Sequence, residues 1–254
     1  MTLEDLSLAS WAMVAGVMII GGLVHGTLGL GFPLVTTPLL ALHFDVRTAI
    51  LITLLPTVFV NSASILRGGR WRDSIGTFWP LAVFSVFGSA VGAYVLTRSD
   101  PAPFKLLLAS LIVLYLFTHW WGTLKLHWTY SHLLLSMVIF GLIAGFAAGT
   151  TNVMVPILII YTLELGLERT AMVQVFNLCF LGGKLAQIGV FGAAGLLGTG
   201  LLLATLPLAV IALLTLLIGM SIRDRLPAES YRRIVHAVLL VLAILLIAQY
   251  ALSP

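Results

Sequence analysis

Charge is what this chain has least of. It carries 13 Lys and Arg and 9 Asp and Glu in 254 residues, 9% charged against 60% hydrophobic. A soluble domain carries about 25% charge and about 45–50% apolar residues, so few charges could not cover so much apolar surface in water. A disordered chain is excluded as well, because it would be poor in hydrophobics. Cysteine is almost absent: Cys179 stands alone, which rules out an internal disulfide and a multi-cysteine metal site. The start, Met1-Thr-Leu-Glu-Asp5, has two acids and no basic stretch. It does not read as a cleaved signal peptide, and the first hydrophobic stretch reads as a retained helix. No Walker motif is present, so ATP is not the direct energy source. What remains is an all-α polytopic membrane protein.

Hydrophobic runs are abundant. Eight apolar segments are separated by polar punctuation: Leu8–Leu42, Thr48–Leu66, Ile75–Thr97, Phe104–Trp121, Leu133–Leu163, Thr170–Phe191, Gly198–Ile222 and Tyr231–Leu252. A spanning helix needs about 20 residues, so the spacing predicts about eight transmembrane helices and no sizeable aqueous domain. The first and fifth segments are too long for one crossing at about 1.5 Å per residue. Each holds a run of Gly, Thr and Pro and is expected to be broken mid-membrane into a helix and a second short helix. With eight crossings, alternate loops receive eight and four Lys or Arg, which places both termini outside the cytoplasm. The Arg67–Arg72 loop opposes that count, and a re-entrant break would change it.

The chain is two copies of one pattern. Gly22-Leu-Val-His-Gly26-Thr-Leu-Gly29, with Pro38 beyond, is echoed by Gly141-Leu-Ile-Ala-Gly145-Phe-Ala-Ala-Gly149, with Pro156 beyond. Arg47-Thr48-Ala49 is echoed by Arg169-Thr170-Ala171, and Arg98-Ser-Asp-Pro101 by Arg223-Asp-Arg-Leu-Pro227. The expected domains are a first four-helix repeat over 1–122 and a second over 123–254. Copies of four crossings start on the same side, so the two repeats are expected to be parallel. An odd number of crossings would make them inverted.

Paired interruptions at matching places in two halves are the strongest sequence pointer to a transporter site. The first break is Gly29-Leu-Gly31-Phe-Pro33. The second is Gly149-Thr150-Thr151-Asn152, where the threonines and the asparagine could cap the following half-helix. A helix N-terminus there offers open N–H donors and partial positive charge, which suits an anion. The competing reading is that the glycines serve only close helix packing. All nine acids fall in termini, loops or segment ends, which weakens a cation-transporter or carboxylate-relay reading.

Lys184 lies mid-span, where a lysine costs about 2.5–3.5 kcal/mol, and no acid is near it in sequence. Gln174, Asn177, Lys184 and Gln187 share an arc of about 140° on the sixth helix. Thr53, Thr57, Asn61 and Ser64 share about 80° on the second. Two polar stripes beside two breaks describe a shared cavity, with interhelical hydrogen bonding as the alternative. The expected substrate-binding set is Lys184, Asn61, Asn177, Gln187, Thr57, Gly29, Gly31, Thr150, Thr151 and Asn152. His25 is the candidate for a coupling proton. His119, His127 and His132 cluster with Trp120, Trp121, Trp128 and Tyr130 as an interfacial aromatic belt rather than a metal site. Cys179 reads as a small hydrophobe. No cofactor, metal or catalytic residue is expected.

These residues resemble the TauE/SafE (sulfite exporter) family of integral membrane proteins. The resemblance rests on Gly22–Pro38, on Arg47-Thr48-Ala49 and on their second-half echo, and covers nearly the whole chain. It implies transport of small sulfur-containing anions, sulfite or sulfonates, across the bacterial inner membrane. The expected function is therefore a secondary exporter whose two halves alternate access. The expected partners are a small anion and the lipid bilayer, without nucleic acid, and a homodimer stays open. An intramembrane enzyme would need a nucleophile–base pair or metal cluster, which His25 and Cys179 do not make. A scaffold would need no matched breaks.

Overall fold

The computed structural model describes residues 7–68, 71–121, 126, 128–223 and 228–252, the side chains of 71–75, 119–121, 228–232 and 234 excepted. Met1–Asp5, His127, Asp224–Pro227 and the side chains of His119, Trp120 and Trp121 therefore lie outside the described residues. So do the parts of the aromatic belt and of the last echo that rest on them.

Among the described residues the chain is all helix. The order is α1 (Leu8–Leu28), α2 (Phe32–Ala41), α3 (Val46–Arg67), α4 (Trp71–Arg98), α5 (Ala102–Trp121), the single turn α6 (Trp128–Ser131), α7 (Leu133–Thr151), α8 (Val155–Glu164), α9 (Arg169–Ala193), α10 (Thr199–Ile222) and α11 (Ala228–Leu252). Seven of these are long and apolar enough to cross a membrane, and α5 is a shorter apolar helix over Ala102–Thr118. Each of the eight apolar segments thus holds one long helix. The outer faces are apolar, with Leu203, Leu214, Ile218, Val241 and Ile244 exposed as lipid-facing residues are. All three asparagines, Asn61, Asn152 and Asn177, and most mid-helix threonines are buried. Cys179 is buried in the apolar core, as a small hydrophobe.

Both long segments break as expected. Gly29 and Gly31 carry φ of +82° and +104°, a left-handed region that a residue with a Cβ resists, and Pro33 stands in the first turn of α2. In the second copy Asn152 takes φ +67° and Pro156 opens α8. Asparagine is among the few non-glycine residues that tolerate this conformation.

The breaks turn the chain back rather than carrying it across. Phe32 and Thr36 of α2 lie against Gly21 of α1, and the Phe32 N–H donates to His25 Nδ1 at 3.3 Å. Tyr161 near the end of α8 reaches Ser136 near the start of α7 at 3.0 Å and stacks on Phe140 at 4.8 Å. Each broken pair is therefore a hairpin, and each copy has three full crossings after it.

This corrects the parallel arrangement: the copies are inverted. The helix α1 runs in the same direction as α10, with Gly22 against Ala212 and Thr215 and Gly26 against Gly219. The helix α4 likewise runs with α7, Gly141 and Gly145 meeting Ser85 and Gly149 meeting Gly92. By contrast α5 and α11 are antiparallel, since Lys105 meets Gln249 and Tyr115 meets His236. So are α3 and α9, since the end of α3 at Gly68 meets Gln174 near the start of α9. The odd number of crossings per copy is the physical reason. These contacts also move the sequence register by one helical turn. Gly26 corresponds to Gly149 and Gly29 to Asn152, which aligns Pro33, not Pro38, with Pro156. Small residues four apart permit either register by sequence alone.

The loop charges become more one-sided in this topology. Arg47, Arg98 and Lys105 mark the face where α1 begins. The connections at the other face carry Arg67, Arg70, Arg72, Lys125, Arg169, Arg223, Arg225, Arg232 and Arg233 in sequence, nine against three. The positive-inside rule assigns that second face to the cytoplasm, and the Arg67–Arg72 loop no longer opposes the count. In a Cys179→Ala background, single cysteines replacing His43 and Gly166 should label from opposite sides of a sealed vesicle. Labelling from the same side would restore the parallel arrangement.

Candidate functional site

The polar interior forms a buried line between the two breaks. At the first, Gly29 ends α1 with its N–H on the His25 carbonyl at 2.7 Å. The His25 ring joins three elements: Nδ1 accepts from Phe32 of α2, and Nε2 lies 3.1 Å from Ser64 Oγ on α3. Because Nδ1 is the acceptor, the ring proton sits on Nε2 and points at Ser64. From α9, Asn177 Nδ2 donates to the Gly29 carbonyl at 3.2 Å and to its own Val173 carbonyl at 2.8 Å.

At the second break, Asn152 Nδ2 crosses between the copies, donating to Thr37 Oγ1 of α2 at 2.8 Å and to Thr53 Oγ1 of α3 at 3.0 Å. Gln187 Nε2 donates to the Ala148 carbonyl at the end of α7, at 2.7 Å. Lys184 Nζ donates to Gln187 Oε1 at 2.6 Å. The lysine therefore reaches the second break through Gln187. Its side chain is 2% exposed, and among the described residues no carboxylate comes within ion-pair distance of it.

Between the breaks lie Thr57 and Asn61 of α3. Thr57 Oγ1 donates to its own helix, at the Thr53 carbonyl. Asn61 is fully buried, and neither its Nδ2 nor its Oδ1 has a partner among the described residues. A buried amide left unpaired costs about 1–3 kcal/mol per group, so these two atoms as they stand add nothing to stability.

The structure thus groups Gly29, Gly31, His25 and Asn177 at one end and Asn152, Lys184 and Gln187 at the other, with Asn61 and Thr57 between them. Thr150 and Thr151 are buried at the end of α7, but they do not cap α8. Their hydroxyls donate to the Phe146 and Ala147 carbonyls of their own helix, and no side chain caps α8. Asn152 ends α7 rather than starting α8.

Two participants, Thr37 and Ser89, and one contact, that of Ser64, escape a sequence reading. Thr37 becomes a partner of Asn152 only once α2 folds back. Ser64 belongs to the legible stripe, yet its contact with His25 depends on the hairpin. Ser89 of α4 is buried with an unpartnered Oγ and packs against Gly183, next to Lys184. The only signal for it in sequence is a serine mid-helix among apolar residues.

No metal-binding group of three or more His, Cys, Asp or Glu occurs among the described residues. The chemistry on offer is one ammonium and a set of amide and hydroxyl groups, of which Asn61 Nδ2, Asn61 Oδ1, Asn177 Oδ1 and Ser89 Oγ have no partner among the described residues, in a buried interior flanked by two hairpins in inverted copies. Inverted copies with interrupted helices recur among membrane transporters. The sequence model of the family described as "Sulfite exporter TauE/SafE" matches residues 14–246, and the chain belongs to this family. It is a membrane transporter of the sulfite-exporter type. No curated protein and no solved structure matches it.

Proposed function

We propose that the protein exports a small sulfur oxyanion, sulfite or an organosulfonate, across the bacterial inner membrane by alternating access. The observation that carries this is Lys184: a cation held at membrane depth with one neutral partner. An uncompensated charge there is expensive, and an anionic substrate is the counterion that the described residues do not supply. Asn61 and Ser89 add free hydrogen-bonding atoms. Asn177, Gln187 and Asn152 hold the breaks in place around them.

The moving bodies in this reading are not the sequence halves 1–122 and 123–254. Each copy lends its fourth helix to the other. One apolar cluster joins α1, α2, α3 and α10, and α4, α7, α8 and α9 pack as its counterpart. They meet where α3 faces α9, the helices that carry Asn61 and Lys184. Rocking across that seam would expose the site to one side and then to the other. Every member of the polar set is closed to water in this structure, His25, Asn61, Asn152, Asn177, Lys184 and Gln187 being 0–2% exposed. That suits an occluded intermediate.

His25 fits a coupling role. A proton on Nδ1 would put two donors face to face across the 3.3 Å contact with Phe32 N–H and push α2 away from α1.

The test is counterflow of labelled sulfite in proteoliposomes without ATP. We expect saturable, protein-dependent exchange that unlabelled sulfite and alkyl sulfonates compete for. Absence of protein-dependent flux for sulfite and for sulfonates alike would remove the proposal.

A further inference from the structure

We propose that the site takes its oxyanion as a protonated monoanion, hydrogensulfite rather than the sulfite dianion, and that Asn61 reads the proton. This rests on the transport reading above and deepens it. Two independent observations support it.

The first is Asn61. Its Nδ2 can only donate and its Oδ1 can only accept, and both are buried without partners among the described residues. A fully ionised oxyanion only accepts. It would satisfy Nδ2 and leave Oδ1 facing negative charge. A protonated oxyanion satisfies both, its O–H donating to Oδ1 and a charged oxygen accepting from Nδ2. Since α3 and α9 run antiparallel with Gly68 beside Gln174, Asn61 lies within about one helical turn of the level of Lys184. One small anion can therefore meet both.

The second is the charge count. Among the described residues the buried titratable side chains are His25 on α1, Tyr115 on α5, Tyr161 and Glu164 on α8, and Cys179 and Lys184 on α9. Glu164 is the last residue of α8, where its carboxylate accepts from the Leu126 N–H at 2.8 Å. The helices α2, α7 and α10 bring none, and α3 carries only its end residues Arg47 and Arg67. With Nδ1 accepting from Phe32 the His25 ring is neutral, so the site holds at most one positive charge, on Lys184. A monoanion balances it. A dianion would leave one charge unpaired in a dry interior, at several kcal/mol. Hydrogensulfite then brings its own proton and releases it to water after leaving. No bond is made to the protein.

The experiment uses the full chain in lipid nanodiscs and measures binding of sodium sulfite and sodium methanesulfonate from mildly acidic to mildly alkaline buffer. Methanesulfonate is a monoanion throughout this range and has no donor, so it reports any titration of Lys184 or His25 by itself. Relative to it, affinity for total sulfite should fall about tenfold per pH unit on the alkaline side. Asn61→Leu should narrow the preference for sulfite over methanesulfonate at acidic pH by about tenfold. Its ligand-free melting temperature should hold or rise, because two orphaned atoms are gone. Sulfite affinity that is flat or rising with pH, with methanesulfonate still bound, overturns this inference alone. An unchanged preference in folded Asn61→Leu does the same. Failure of both anions to bind at any pH overturns it together with the transport reading.

Discussion

Lys184→Met should abolish sulfite counterflow while the protein stays folded. Lysine and methionine have similar length, so the cavity left is small, and what disappears is the ammonium. In the ligand-free protein that group is 2% exposed and donates only to Gln187 Oε1 among the described residues. Holding it at depth costs about 2.5–3.5 kcal/mol, so its removal should leave the melting temperature unchanged or higher. Gln187 keeps its contact with the Ala148 carbonyl and its Oε1 is released.

The anion fares differently. A hydrogen bond to a charged group is worth about 1.5–3 kcal/mol, which is about 10- to 150-fold in affinity. The remaining donors are neutral amides and hydroxyls, which cannot replace the lost counter-charge in a dry interior. Lys184→Arg retains charge but spreads it over a planar fork too large for a site packed around Gly183 and Ser89. It should bind the anion while exchanging it slowly. The measurement is counterflow alongside thermal unfolding of the purified variants. A folded Lys184→Met protein with wild-type exchange would take Lys184 out of the site.

The same residue shows how much the sequence discloses. Lys184 and both polar stripes were legible because, apart from Ser62 and residues at the helix ends, the rest of those helices is apolar or small, and in a membrane the inward face must collect whatever polarity there is. The breaks were legible at Gly29, Gly31 and Pro33 because glycine and proline limit the backbone directly. What happened at the breaks was not. Whether a chain crosses or returns after Gly31 is decided by contacts of Phe32 and Thr36 with Gly21, and nothing local to the break encodes them. The inverted arrangement follows from that one fact, so a sequence count of crossings led to the parallel one. The repeat register failed for a related reason: glycines recur every four residues from Gly141 to Gly149, so a shift of one turn preserves the pattern. Thr150 and Thr151 show a third limit. A threonine beside a break suits a cap and suits back-bonding to its own helix equally well, and here the second applies.

The largest effect on folding should come from Gly145→Val. Helices in a bilayer gain little from burying apolar surface against one another, so close backbone packing has to hold them together. At Gly145 that approach is extreme. A Cβ would run into the carbonyl of Ser85, with Ser85 Cα at 2.8 Å. Backbone cannot rotate out of the way as a side chain can, so α7 and α4 must separate. Overpacking a core costs about 1–3 kcal/mol and occasionally more. Here the separation also pulls at Ser89, Gly149 and Gly183 beside the site.

The inverted equivalent is the crossing of α1 with α10. A Cβ on Gly26 there would meet the Leu216 carbonyl and lie 2.8 Å from Gly219 Cα. Gly26→Val should therefore fail in the same way, although it stands 119 positions earlier in the sequence. Not every membrane glycine behaves so. Gly16 and Gly189 have nothing within 4 Å of where a Cβ would go. Their alanine variants should match or exceed wild-type stability, since alanine favours a helix over glycine by about 1 kcal/mol. Thermal unfolding of the four variants in one detergent separates the pairs. If Gly145→Val melts with the wild type, the copies are not locked through these crossings. The bodies that move during transport would then have to be drawn elsewhere.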